Sequence, residues 1–192
     1  MRRVILFLPI AWLVAGSLLA AGPEVPRPAG NFAIQTGPDK YIWLSDYPGK
    51  TIILSIVLTD CVHCQFTTGI LNAIQRDYAD RGVQVIETAI DAMASLHLAD
   101  FQKKFQPEFP RGYDELRYAM KFIAWPDTEA MFAPQLIFID RTGIIRAQFG
   151  GDNPALDKAL QDATLRAALD KTLREGGAPA VAADKPAAGK KQ

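Results

Sequence analysis

The sequence predicts an α/β fold: a central mixed β-sheet with helices on both faces, in three layers. Three observations carry this. Residues 52–58 form a short apolar run rich in β-branched side chains, the mark of a buried strand, and a helical pattern follows at once. A second such run, residues 83–89, lies beyond that helix, so the two strands are expected to be parallel. Residues 135–140 and 144–149 flank the turn Arg141-Thr142-Gly143 and read as an antiparallel hairpin. Helical segments between and after the strands supply the outer layers.

The elements follow in order. Residues 22–30 (GPEVPRPAG) are rich in Pro and Gly and read as a linker. Residues 31–35 are expected as a short edge strand, Gly37-Pro38-Asp39 as a turn, residues 41–44 as a second strand and residues 45–50 as a loop. The first helix is expected to bury Phe66, Ile70, Ile74 and Tyr78, spaced four apart. Asp80-Arg81-Gly82 ends it. Residues 94–106 fit a helix with Leu98, Phe101 and Phe105 on its core face, and His97 on that helix is expected at or near the surface rather than as a ligand. Pro107 to Pro110 stop it. Residues 113–123 are expected as a further helix, and residues 125–133 as irregular and amphipathic. Residues 153–174 are expected as a final helix with Leu156, Leu160, Ala163 and Ala167 inward. The tail, residues 175–192, has low complexity and no apolar period, which predicts disorder. The domain is thus expected to span residues 31–174.

A chain of 192 residues, 49% hydrophobic, has room for one well-packed domain. Residues 1–21 look like an export signal: Arg2 and Arg3, an apolar stretch from Val4 to Leu19, then small residues. Cleavage after Ala21 is expected, with an uncleaved anchor as the alternative. Removing Arg2 and Arg3 leaves 19 basic against 21 acidic residues. With no basic field, nucleic acid is not an expected partner. The expected location is therefore periplasmic or otherwise extracytoplasmic, where a cysteine pair escapes the reducing cytosol.

Between the first strand and helix sits Cys61-Val62-His63-Cys64. A helix N-terminus presents unpaired N–H groups and about half a positive charge, which favours a thiolate, the reactive form of cysteine. Cys61 at the mouth is expected to be the exposed nucleophile. Cys64, one turn in, is expected to be shielded and to attack the mixed disulfide. A protonated His63 would favour the Cys61 thiolate. Asp60 either opposes it by charge or caps the helix through the N–H of Val62 or His63. The structural alternatives are weaker. A disulfide closing so short a loop staples little. Zinc needs a further ligand pair, and the histidines are only His63 and His97. A c-type haem needs His after the second Cys, where Gln65 stands.

Three blocks then align with a known family: LSDYPGKTIILSIVLTDCVHC (residues 44–64), Phe109-Pro110, and APQLIFIDRTGIIRAQFGG (residues 133–151). With them the chain resembles the thioredoxin superfamily. Within it the likeness is to the redoxin branch, which includes the alkyl hydroperoxide reductase/thiol-specific antioxidant group and the TlpA- and ResA-like thiol-disulfide oxidoreductases. The resemblance implies a thioredoxin-like fold and a cis peptide bond before Pro134. It also implies that Pro134 lies against the cysteine pair, with the Ala133 backbone offered to a partner. Val62, Ala133 and Pro134, with Trp125, would form a shallow apolar docking surface. Two departures stand out. Thioredoxins carry a buried acid six residues before the first Cys, here Ser55, and ResA-like proteins a Glu three after the second, here Thr67. Water, Thr59, Thr67 or His63 would then have to handle the Cys64 proton. A His just before the second Cys is what strongly oxidising DsbA-like proteins have.

The leading expectation is an exported thiol-disulfide oxidoreductase acting on protein thiols and disulfides. It is expected to be a monomer, to exchange electrons with a membrane donor or acceptor, and to use no cofactor beyond its own disulfide. Its expected potential lies between the reducing and oxidising extremes, since His63 and Asp60 push opposite ways. A peroxiredoxin-type peroxidase using Cys61 is the runner-up, but neither cysteine ends a Pro-x-x-x-Thr-x-x-Cys pattern. A Sco-like copper module fits less well, because those relatives space their cysteines by three residues and add a late His.

Overall fold

A computed structural model describes residues 23–157 and 161–177. The expected leader, and the expected tail from residue 178 onward, lie outside them. The strands are β1 (Arg27–Pro28), β2 (Ala33–Gly37), β3 (Lys40–Trp43), β4 (Thr51–Val57), β5 (Val83–Ala89), β6 (Arg111–Tyr113), β7 (Gln135–Ile139) and β8 (Ile144–Phe149). The helices are α1 (Val62–Tyr78), α2 (Ala94–Phe105), α3 (Leu116–Phe122) and α4 (Gln161–Glu175). All the strands join one sheet in the order β1-β8-β7-β4-β5-β6-β2-β3. β4–β5 and β5–β6 are parallel, and the other pairs antiparallel.

β4 is central because every residue of it is buried on both faces. Ile52, Leu54 and Ile56 pack with Phe32, Ala119 and Ile123 on the α3 side. Ile53 packs with Leu71 and Ile74 of α1 and with Leu165 and Leu169 of α4 on the other. Successive strand residues point to opposite faces, so one apolar run serves two cores. The β7–β8 turn is built by Asp140, whose Oδ1 accepts the N–H groups of Thr142 (2.8 Å) and Ile144 (3.1 Å), while Gly143 adopts φ 81°. The mixed, helix-flanked sheet, the parallel β4–β5 pair and the β7–β8 hairpin agree with the sequence expectation.

Several elements differ. Arg27–Pro28, within the stretch expected as a linker, pair with β8, and the Arg27 guanidinium donates to Ile123 O (2.9 Å) and Gln148 Oε1 (2.6 Å). β2 is not an edge, because β6 covers its free side. β6 replaces the start of the helix expected at residue 113. Gly112 permits it, since a Cβ there would fall 2.1 Å from Gln35 O. The buried face of α1 is Cys64, Thr67, Thr68, Leu71, Ile74 and Tyr78, and Phe66 is exposed. A strict spacing of four drifts about 40° round a helix at each step, so Phe66 and Tyr78 cannot share one face. On α4 the inward residues are Gln161, Leu165, Leu169 and Thr172, whereas Ala163 and Ala167 face solvent. The larger leucines bury more apolar area, which decides the rotation. Leu156 is buried but sits in a separate short turn, and Leu160 lies outside the described residues.

Candidate functional site

β4 delivers the chain to the mouth of α1, where Cys61 and Cys64 are disulfide-bonded with Cα atoms 5.2 Å apart. Cys61 is itself the helix cap: its Sγ accepts the Cys64 N–H at 3.2 Å, a role expected of Asp60. Asp60 stands exposed. A sulfur bonded to the helix N-terminus is placed where negative charge is favoured. Cys61 is half-buried, whereas Cys64 is fully buried against Val57, Ala89 and Ala94. This asymmetry separates an accessible sulfur from a shielded one.

The Ala133–Pro134 bond is cis, and Pro134 is buried. Ala133 O lies 3.8 Å from Cys61 Sγ. Behind this loop, Gln135 Nε2 donates to Phe132 O at 2.7 Å. Gly151 packs so closely that a Cβ there would fall 2.3 Å from Ala133 O. The loop before Cys61 is also pinned. Asp91 accepts both the N–H and the hydroxyl of Thr59, each at 2.9 Å, and Gln65 Nε2 donates to Thr59 O at 3.1 Å. His97 is largely exposed, with Nδ1 3.4 Å from Thr59 Oγ1 and 3.7 Å from Asp91 Oδ2.

Of the residues singled out in the sequence, Cys61, Cys64 and Ala133 meet in one cluster, and Pro134 follows directly. Val62 and His63 are exposed on the first turn of α1. Trp125 is not brought to this cluster. It is half-buried against the other core, the one that holds Ala119 of α3 and Ile123. The other exposed apolar side chains include Phe66, Met93, Leu96 and Phe132. Two hydroxyls considered for the Cys64 proton are engaged elsewhere: Thr59 donates to Asp91, and Thr67 donates to His63 O (2.8 Å).

The sequence reading missed a carboxylate. Glu87, the register partner of Ser55 on β5, is fully buried under α1. Its Oε2 lies 3.0 Å from Thr68 Oγ1, and its Oε1 lies 3.0 Å from Arg111 on β6. Arg111 is buried too and lies over the Phe101 ring at 4.1 Å. Complete burial raises the Glu87 carboxyl above its ordinary range, while Arg111 and Thr68 pull it back. Burial likewise lowers Arg111. The signal was a lone charged residue, Glu87, in the strand VQVIETA.

Fold and site together define a thioredoxin-like protein with a Cys-x-x-Cys pair at a helix mouth, facing a cis-proline loop. The Redoxin family model matches residues 21–168, and the chain belongs to that family. The thiol-disulfide oxidoreductase ResA of Bacillus thuringiensis subsp. konkukian is 29% identical over 93 residues, 48% of this chain and 53% of the relative. ResA of Bacillus cereus gives the same figures. The chain thus spans about half the length of the curated relatives it matches. A structure described as a candidate thiol:disulfide interchange protein DsbE, from Chlorobium tepidum, has a TM-score of 0.62 at 25% identity, covering 76% of this chain and 98% of that one. A second Chlorobium tepidum thiol:disulfide interchange protein has a TM-score of 0.59 at 21% identity, over 77% and 99% of the two chains, and shows the shared fold.

Proposed function

We propose that this chain is an exported thiol-disulfide oxidoreductase whose Cys61–Cys64 pair exchanges with protein thiols and disulfides. The observation that carries this is the pairing of a half-exposed, helix-capping Cys61 with a fully buried Cys64. In the reducing direction the Cys61 thiolate attacks one sulfur of a substrate disulfide. A Cys61–substrate S–S bond forms, and the first substrate sulfur leaves with the electron pair and takes up a proton. Cys64 then loses its proton, and its sulfur attacks Cys61 Sγ. The internal disulfide forms, the mixed disulfide breaks, and the second substrate sulfur leaves as a thiolate. The protein is oxidised by two electrons and the substrate reduced by two; oxidation of a substrate dithiol is the reverse. The disulfide is the redox group, and no bound cofactor is invoked. Ala133, Pro134 and Val62 are the surface offered to the substrate. Export is supported by the pattern of residues 1–21, and a membrane partner would then reset the pair.

The test is trapping and potential together. Cys64→Ser is expected to accumulate a stable mixed disulfide on Cys61 when mixed with 5,5′-dithiobis(2-nitrobenzoate), and Cys61→Ser to accumulate none. Equilibration with glutathione buffers then sets the direction. A potential near about −270 mV marks a reductant, and one near about −120 mV an oxidant. Failure of the pair to form a disulfide at any glutathione ratio refutes the proposal.

A further inference from the structure

Thr68 stands one helical turn beyond Cys64 on the buried face of α1. Its hydroxyl oxygen lies 3.0 Å from Cys64 O and 3.0 Å from Glu87 Oε2, wholly inside the protein. A hydroxyl has a single proton, and a peptide carbonyl has none to give. If Thr68 donates to Cys64 O, its bond to Glu87 must run from a protonated carboxyl to the Thr68 oxygen. If Glu87 is ionised, the Thr68 proton turns to the carboxylate and Cys64 O loses it. The protonation of Glu87 and the bonding of the Cys64 turn are therefore locked together.

The surroundings strengthen the link. On β5, Glu87 and Ala89 share one face, and Ala89 packs directly on Cys64. On β4, Ser55 and Val57 do the same, with Ser55 in register with Glu87. The carboxyl thus sits one strand step behind the sulfur, under the same helix. The groups facing it are Arg111 from β6, Thr68 from α1 and Ser55 from β4. α2 contributes the Phe101 ring over Arg111 rather than a charge. With Thr59 and Thr67 committed elsewhere, Glu87 is the titratable carboxyl that reaches the Cys64 turn through a hydrogen bond.

We propose that Glu87 is the positioning residue that governs the proton of the Cys64 thiol, acting through the Thr68 hydroxyl. This rests on the exchange reaction proposed above. When the Cys64 sulfur attacks Cys61, the proton it loses is matched by protonation of Glu87. The neutral carboxyl then donates to Thr68, and Thr68 to Cys64 O, so both hydrogen bonds seen at the Thr68 hydroxyl in the disulfide form are made at once. When the disulfide is opened, Cys64 regains a proton and Glu87 returns to its ion pair with Arg111.

The test uses the full reduced protein and 5,5′-dithiobis(2-nitrobenzoate) in stopped flow. A first, reagent-dependent release of thionitrobenzoate reports attack by Cys61. A second, reagent-independent release reports attack by Cys64 on the mixed disulfide. In Glu87→Gln the ratio of second to first rate is expected to fall by about a hundredfold near neutral pH, the usual scale of a lost acid–base contribution. The second phase is also expected to lose one inflection from its pH profile. Because Gln faces the buried Arg111 without a charge, folding is checked by circular dichroism. Thr68→Val, which removes the hydroxyl but keeps the ion pair, is expected to move the same profile and decides the matter if Glu87→Gln does not fold. A second phase whose rate and pH profile match the wild type in a folded variant overturns the inference. A wild type that releases one thionitrobenzoate or none overturns the exchange reaction itself, so the two failures are distinct.

Discussion

Replacing Gly151 by alanine strikes the cis-Pro134 loop from behind. The new Cβ would lie 2.3 Å from Ala133 O, 2.5 Å from Ala133 C and 3.1 Å from Pro134 N. These are backbone atoms, so no flexible side chain can swing aside, and ordinary contact requires a retreat of roughly 1 Å. The retreating carbonyl is the one that faces Cys61 Sγ at 3.8 Å. Overpacking of this kind costs about 1–3 kcal/mol of stability. A displacement of about 1 Å at a reacting centre costs about a hundredfold in rate. Gly151→Ala is thus expected to lower kcat/KM for insulin disulfide reduction by ten- to a hundredfold, with the urea midpoint also reduced. Gly69→Ala is the control: its Cβ meets nothing within 4 Å on an exposed stretch of α1, and it should stabilise by about 0.5–1 kcal/mol with unchanged turnover. A folded Gly151→Ala protein with wild-type kcat/KM would refute the reasoning that this glycine sets the loop.

Two further outcomes follow from the buried charges. Arg111→Met strips Glu87 of its cation and is expected to cost about 3–5 kcal/mol at pH 8. Because the folded-state pKa of Glu87 is already raised by burial and rises further without Arg111, this penalty grows as pH climbs through it and shrinks towards pH 5; urea unfolding that shows equal deficits at both pH values contradicts this. Asp140→Asn tests the hairpin: although burial opposes it, hydrogen bonds from Thr142, Ile144 and Arg146 hold the Asp140 carboxyl below its ordinary range. Its contribution, about 1–3 kcal/mol at pH 7, should be present above the usual carboxylate range and fade as pH falls through the lowered value, which melting curves at pH 7 and pH 3 would reveal.

Much of the fold was legible because its signals are local. The β-branched run of β4, the cysteines at the following helix mouth and the Asp140–Gly143 turn each depend on neighbours in sequence. Helix faces were less legible. On α1 an apolar pattern competed with buried Thr67, Thr68 and Asn72, which a hydrophobic count scores as surface. β6 escaped notice because a three-residue strand has no period. What forms it is the close approach of β2 at Gly112 and the pairing of Arg111 with Glu87. At the site, the sequence pointed to Cys61, Cys64, Ala133 and Pro134, but it also pointed to Trp125, which the fold packs into another core.

The sequence by itself determined which cysteine stands at a helix mouth and which lies one turn inside, because helix period and end effects act within a few residues. It also set the three-layer class, through the alternation of buried strands with amphipathic helices. Only the tertiary structure decided where a buried acid stands. Ser55 and Thr67 occupy the positions where relatives carry one, and the chain instead brings Glu87 to Thr68 across 19 residues and Arg111 to Glu87 across strands. No local rule encodes that meeting. It follows from parallel register, fixed when Ser55 aligned with Glu87 as β4 and β5 buried their apolar faces together.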